Sequence, residues 1–148
     1  MTQIIRYSGW YSEELCQQHP TLVFIFGDNV RGVGRGGQAI IRYEPNAFGV
    51  PTKRVGSMAP GSFFQEGNLT DRNSVIDALN KIEDMLDGGS QIVVPVTAEG
   101  EISLGLERAR LKEVAPSLYA IIKERFEAFA DSYGGRDAEE AKQLVLAD

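Results

Sequence analysis

Two stretches of unbroken apolar sequence set the terms for this fold. Residues 21–26 read Thr-Leu-Val-Phe-Ile-Phe and residues 91–96 read Gln-Ile-Val-Val-Pro-Val. Each has strand length, is rich in β-branched or aromatic residues, and lacks polar alternation. A strand apolar on both faces must be covered on both faces, which is the situation of a central strand in a parallel sheet. Helical patterns supply the cover. Thr70 or Asp71 can cap a helix over residues 72–86 whose Val75, Ile76, Leu79, Ile82 and Met85/Leu86 share one stripe, and Gly88-Gly89 end it. A second, long helix is marked by Leu111, Val114/Ala115, Leu118, Ile122, Phe126 and Phe129, with Pro116 in its first turn. Strands alternating with helices predict an α/β chain: a single three-layer α/β/α domain over residues 1–148 with a mostly parallel sheet.

The remaining elements are shorter. Residues 2–7 alternate weakly and predict a strand at the sheet edge. Ser12 is placed as an N-cap, with Glu13 and Glu14 in the first turn of a helix that Pro20 stops. Residues 37–44 predict a short helix ended by Pro45, residues 48–51 a brief strand, and residues 136–147 a last, peripheral helix.

Composition narrows the chemistry. The one cysteine, Cys16, leaves no disulfide framework, and with the one histidine, His19, it leaves no His-based metal set or Ser/His/Asp triad. No cofactor is expected. No apolar run approaches the roughly 20 residues that span a bilayer, and the first residues lack a secretory pattern, so a cytoplasmic protein with no membrane partner is expected. A net charge of −6 argues against general nucleic-acid binding. Residues 1–60 nevertheless hold six Lys/Arg against four acids, a balance of +2, which leaves −8 for the rest. The cations gather around one loop, where they would focus a small anion.

That loop follows the first apolar strand, which is expected to end at Gly27. Arg31, Gly32, Gly34, Arg35, Gly36 and Gly37 crowd into seven residues. In open α/β sheets ligands bind beyond the carboxyl ends of the strands, where such a loop would lie. Glycines permit positive φ and close backbone approach, so successive N–H groups can turn toward an anion, with the positive end of a helix beginning near Gln38. Arg31 and Arg35 can add forked hydrogen bonds to phosphate oxygens. A plain tight turn is the simpler alternative. The spacing of Gly32, Gly34 and Gly37 matches G-x-G-x-x-G formally, yet Pro45 cuts the following helix short and no acid stands between Val55 and Gln65; Gln38 stands where a Walker lysine would be. Asp28-Asn29 can bond a ribose hydroxyl, a base edge or a water, or can form an Asx turn. Lys53-Arg54 can close the other side of an anion site or stand solvated. Glu99 and Glu101 can take a proton, can bind a divalent ion with Asp28, or can simply face solvent. Trp10, Phe24, Phe26 and Phe48 read as core aromatics more readily than as a base-stacking platform.

The strings FGDN, R-x-G-x-G-x-G-G-Q-A and P-N-x-x-G-V-P-T-K, with Ala-Pro in LKEVAPSLY, resemble a family of small uncharacterised bacterial and phage proteins. More distantly, the order of parts resembles the macro domain, an α/β/α module that binds ADP-ribose and in some members hydrolyses its linkages. That resemblance implies Asn29 near the distal ribose, Gly36, Gly37 and Gln38 at a first phosphate loop, and Thr97 to Gly105, with Gly100, as a second. The expected function is binding of a phosphate-bearing, nucleotide-like ligand, ADP-ribose the leading candidate. Hydrolysis at the anomeric carbon is a further expectation, in which Asp28 or Glu99 positions water. A non-enzymatic sensor, or an accessory protein acting through a protein partner, is the alternative.

Overall fold

A computed structural model of the chain describes residues 2–144. Five strands form one all-parallel sheet: β1 (Ile4–Tyr7), β2 (Leu22–Asn29), β3 (Ala47–Lys53), β4 (Gln91–Pro95) and β5 (Gly135–Ala138), in the spatial order β3-β2-β4-β1-β5. The fold is therefore α/β. Side chains alternate between two cores. Ile4, Ile25, Ile92 and Val94 face one side, covered by α2 (Leu69–Asp87) and α4 (Pro116–Tyr133). Ile5, Phe24, Phe26 and Val93 face the other, covered by α1 (Glu13–Gln18) and by short 3-10 turns at Gly37–Ile41 and Ala141–Leu144. Helices thus lie on both faces, one layer thick and one thin. Each fully buried Val, Leu, Ile or Phe contributes about 1.5–3 kcal/mol, so the sheet's inner positions alone outweigh any single polar contact described below.

Several elements agree with the sequence reading. Ser12 caps α1, its hydroxyl accepting the Leu15 N–H at 3.0 Å. Gly88 and Gly89 end α2, Gly89 at φ 93°. Other elements differ for physical reasons. The cap of α2 is Asn68, whose side chain accepts from Asp71 N–H at 3.0 Å, so the helix begins earlier than Thr70 or Asp71 would allow. The long helix breaks into α3 (Leu111–Val114) and α4 because Pro116 has no N–H to continue it and Ala115 turns to φ −150°. Strand β1 lies inside the sheet rather than at its edge, since β5 pairs along its outer side. That pairing also replaces the start of the helix expected over 136–147, of which a 3-10 turn at Ala141–Leu144 is the helical part among the described residues: Gly134, at φ 80°, reverses the chain out of α4 and residues 135–138 extend along β1. Arg6 holds Asp137 at 2.6 Å across the pair. Helix propensity in these residues is outweighed by the open hydrogen-bonding edge of β1. Positions 145–147 of the expected helix lie outside the described residues. The helix expected after the glycine loop is one 3-10 turn of five residues, too short to carry a useful dipole.

Candidate functional site

Because the strands are parallel, the carboxyl ends of β1, β2, β3 and β4 open on the same side. A cleft of about 640 Å³ lies there. Its walls are residues 8–11 after β1, residues 27–29 at the end of β2, the glycine loop, Thr52-Lys53, Pro95-Val96 and the segment from Ser103 to Ala109. This is the position in which α/β sheets present ligand sites.

Gly27 lets the cleft close on one side. A Cβ there would sit 2.0 Å from the Leu104 carbonyl oxygen, so the segment after β4 crosses directly over β2. Gln38 fastens the crossing: its Oε1 accepts the Gly27 N–H at 2.9 Å and its amide nitrogen donates to the Ser103 carbonyl. The Gln38 side chain lines the cleft but is committed to the scaffold.

Asp28 is committed as well. Arg42 grips its carboxylate in a fork, Nη1 to Oδ2 at 2.9 Å and Nη2 to Oδ1 at 2.5 Å, and both side chains are largely buried, at 9% exposure for Arg42 and 13% for Asp28. Oδ1 also accepts the Asn29 N–H at 2.7 Å. The remaining Arg42 donor, Nε, reaches the Gly34 carbonyl at 2.7 Å, so one guanidinium ties the strand end to the glycine loop. Asn29 donates to the Val33 carbonyl at 2.9 Å, while its buried Oδ1 has no partner among the described residues.

The glycine loop is held at both ends and open between them. Val30 N–H donates to Lys53 and Arg31 N–H to Arg54, and Ala39 N–H closes onto Gly36. The N–H groups of Gly34, Arg35, Gly36 and Gly37 find no acceptor among the described residues. Gly32, Gly34 and Gly37 have positive φ, which accounts for them as glycine. Gly36 is different. It is extended, at φ −79° and ψ 146°, and an added Cβ would meet nothing within 4 Å. Neither backbone nor packing requires glycine at 36, and the residue lines the cleft.

The two loop arginines stand away from the lining, as does Gly32. Arg35 pairs with Glu13 at 2.8 Å, donates to the Ile40 carbonyl at 3.0 Å and lies over the Tyr43 ring. Positive charge in the cleft comes instead from Lys53 and from Arg108, which the sequence reading did not single out. Lys53 is only 7% exposed. Its Nζ donates to the Ser57 carbonyl at 2.6 Å and lies 3.3 Å from the Met58 sulfur and 4.9 Å over the Phe63 ring, with no carboxylate partner among the described residues. Burial, reinforced by Arg108, holds its pKa below the ordinary lysine value. Its neighbour Arg54 turns the other way and forks onto Asp71 at 2.9 and 2.7 Å.

Thr97, Glu99 and Gly100 form a tight exposed turn outside the lining. Gly100 N–H donates to the Thr97 carbonyl at 2.9 Å, Thr97 Oγ1 accepts Glu101 N–H at 3.2 Å, and Val96 pairs with Ile102 across it. Glu99 and Asp28 are thus not brought together, and among the described residues no group of three His, Cys, Asp or Glu converges on a metal. The core expectation holds for Phe24 and Phe26, and Phe48 is half-buried. Trp10 departs from it. Its side chain is 93% exposed and lines the cleft. The local signal that could have found it is Gly9, a turn-permitting residue placed directly between a strand and the tryptophan.

Among the described residues no helix is long and apolar enough to cross a membrane. A model described as a family of unknown function (DUF7831) matches residues 6–125. No curated protein and no solved structure matches the chain.

Proposed function

We propose, for a chain that belongs to the DUF7831 family and takes no activity from that membership, that the cleft binds a phosphate-bearing, nucleotide-like metabolite. One observation carries this reading. Gly34, Gly36 and Gly37, whose N–H groups lack acceptors, line the same cleft as Lys53, a buried residue with no carboxylate partner among the described residues. A buried cation without a counter-ion is costly alone, and the loop N–H groups are exposed and open to an acceptor, so one anion can meet both. Gly36 fits as a place where ligand needs the room that a side chain would fill. Arg108, exposed at the same wall, adds charge on the approach. ADP-ribose is the leading candidate on the macro-like order of parts, with Asn29, which lines the cleft, toward a ribose.

The carboxylates favour binding over turnover. Asp28 is held by Arg42, and Glu99 stands on a turn outside the cleft, so neither is free to activate water. A sensor that reads a nucleotide is therefore the form of the proposal that the side chains support best.

The test is thermal stabilisation by ADP-ribose, NAD, AMP, ribose 5-phosphate and inorganic phosphate, with Lys53→Met beside the natural chain. Ligand at 100 times its Kd adds about 2.7 kcal/mol. For a chain of this length each kcal/mol moves Tm by roughly 2–4 °C, so a shift of about 5–11 °C is expected, reduced in the variant. No shift with any phosphate compound would sink the proposal.

A further inference from the structure

Trp10 is the only tryptophan in the chain, and its indole lies almost wholly in solvent. The backbone on either side is pinned. Before it, Gly9 packs so closely on Tyr7 that a Cβ would fall 2.1 Å from the phenol oxygen, and Ser8 N–H donates to the Ala138 carbonyl at 3.2 Å. After it, Tyr11 buries its ring against Phe24 and donates its hydroxyl to the Ile25 carbonyl at 2.7 Å. An aromatic carried between two anchored neighbours at the cleft is a flat surface with nothing of the chain covering it.

Its place in the fold gives the ligand a direction. Trp10 follows β1, while Lys53 ends β3, and the order β3-β2-β4-β1 separates those strands by three steps. At about 4.8 Å a step the strands that carry the two poles stand roughly 14 Å apart. That separation suits a nucleobase joined through a ribose to one or more phosphates, and exceeds what a phosphorylated sugar alone spans.

We propose that Trp10 is the stacking platform for the base of the ligand, which lies across four strand ends with its base at β1 and its anionic end between Lys53 and the glycine loop. The inference rests on the nucleotide reading above and adds the residue that selects an aromatic base. A tryptophan on a flat protein-binding face would have no reason to share a concave wall with Lys53 and the open loop amides.

The experiment pairs AMP with ribose 5-phosphate, measured by calorimetry and by the fluorescence of Trp10, which reports its own surroundings because no other tryptophan contributes. AMP is expected to bind more tightly and to quench the emission, and ribose 5-phosphate to leave it unchanged. Trp10→Leu should weaken AMP roughly 5- to 150-fold, the loss of one base–aromatic stack, with Trp10→Phe recovering part of it. Ribose 5-phosphate should be held equally by all three proteins. Equal affinity for the two compounds, unquenched emission and an indifferent Trp10→Leu would overturn the platform while leaving the anion site standing. Failure of both compounds to bind would remove the anion site and the platform together.

Discussion

Replacing Asp28 by alanine tests whether this carboxylate serves the scaffold or the chemistry. In the native protein it accepts both Nη atoms of Arg42 and the Asn29 N–H, and the pair is about nine-tenths buried. Alanine leaves the Arg42 charge in place with two donors empty and too little water to replace the carboxylate. Breaking one side of a buried ion pair costs about 3–5 kcal/mol, most of it the stranded charge rather than the lost attraction. At roughly 2–4 °C per kcal/mol, Tm should fall by about 6–20 °C. Asp28→Asn, which keeps an oxygen for Asn29 N–H, should fall between. Asp28→Leu combined with Arg42→Met should recover much of the loss, because removing both charges leaves nothing stranded; what it does not recover is the Arg42 brace to Gly34. Urea titration followed by circular dichroism is the assay, since the exposed Trp10 changes its surroundings little on unfolding. If Asp28→Ala stays within about 0.5 kcal/mol of the natural chain, as a surface substitution would, the ion pair is not structural and the water-positioning role regains its candidate.

Two glycines should respond oppositely. Gly27→Ala drives a Cβ into the Leu104 carbonyl and should cost at least the 1–3 kcal/mol typical of overpacking, read by the same urea titration. Gly36→Ala meets nothing and should be neutral or stabilising by about 0.4–1 kcal/mol, while weakening AMP or ADP-ribose in calorimetry; unchanged affinity would show that ligand does not approach there. Lys53 predicts a pH dependence. Its folded pKa is lowered, first by burial and then by Arg108, so the unfolded chain holds the proton more tightly. Stability should therefore be penalised in full below the folded pKa, and should rise with pH between that value and the ordinary lysine value of about 10.4. Lys53→Met should abolish the rise across denaturation curves in that window, and a rise that persists in the variant would assign it to another group.

The layers of this fold were legible because they are written in local periodicity. Unbroken apolar runs marked β2 and β4, and the stripe through Val75, Leu79 and Ile82 marked α2. What escaped depends on partners distant in the chain. Residues 136–138 open a stretch rich in Ala, Glu, Lys and Gln, and only the free edge of β1, some 130 residues earlier, makes a strand of them with Gly135. Trp10 stands next to an apolar strand, which favours a core reading; the constraint that turns it outward is the contact of Gly9 with the Tyr7 side chain. Arg108 reaches the cleft only because Gly27 lets the segment after β4 cross β2.

The charge argument shows the same limit most sharply. Residues 1–60 hold an excess of cations, but a count cannot say which charges remain available to an anion. Arg6 is matched by Asp137, Arg35 by Glu13, Arg42 by Asp28 and Arg54 by Asp71. Two of those four acids, Glu13 and Asp28, lie within the same 60 residues, and pairing cancels most of the field of all four arginines at the cleft. Lys53 is the cation left both buried and unmatched, and Arg108, from the acidic remainder of the chain, is the one beside it. Of the two arginines that made the glycine loop conspicuous, Arg35 is spent on Glu13 and Arg31 stands outside the cleft lining. Arg35→Ala should cost an exposed ion pair, worth about 0–1 kcal/mol of stability, and leave ligand affinity nearly intact, whereas Lys53→Met should do the reverse. The opposite pattern would return the anion site to the loop side chains.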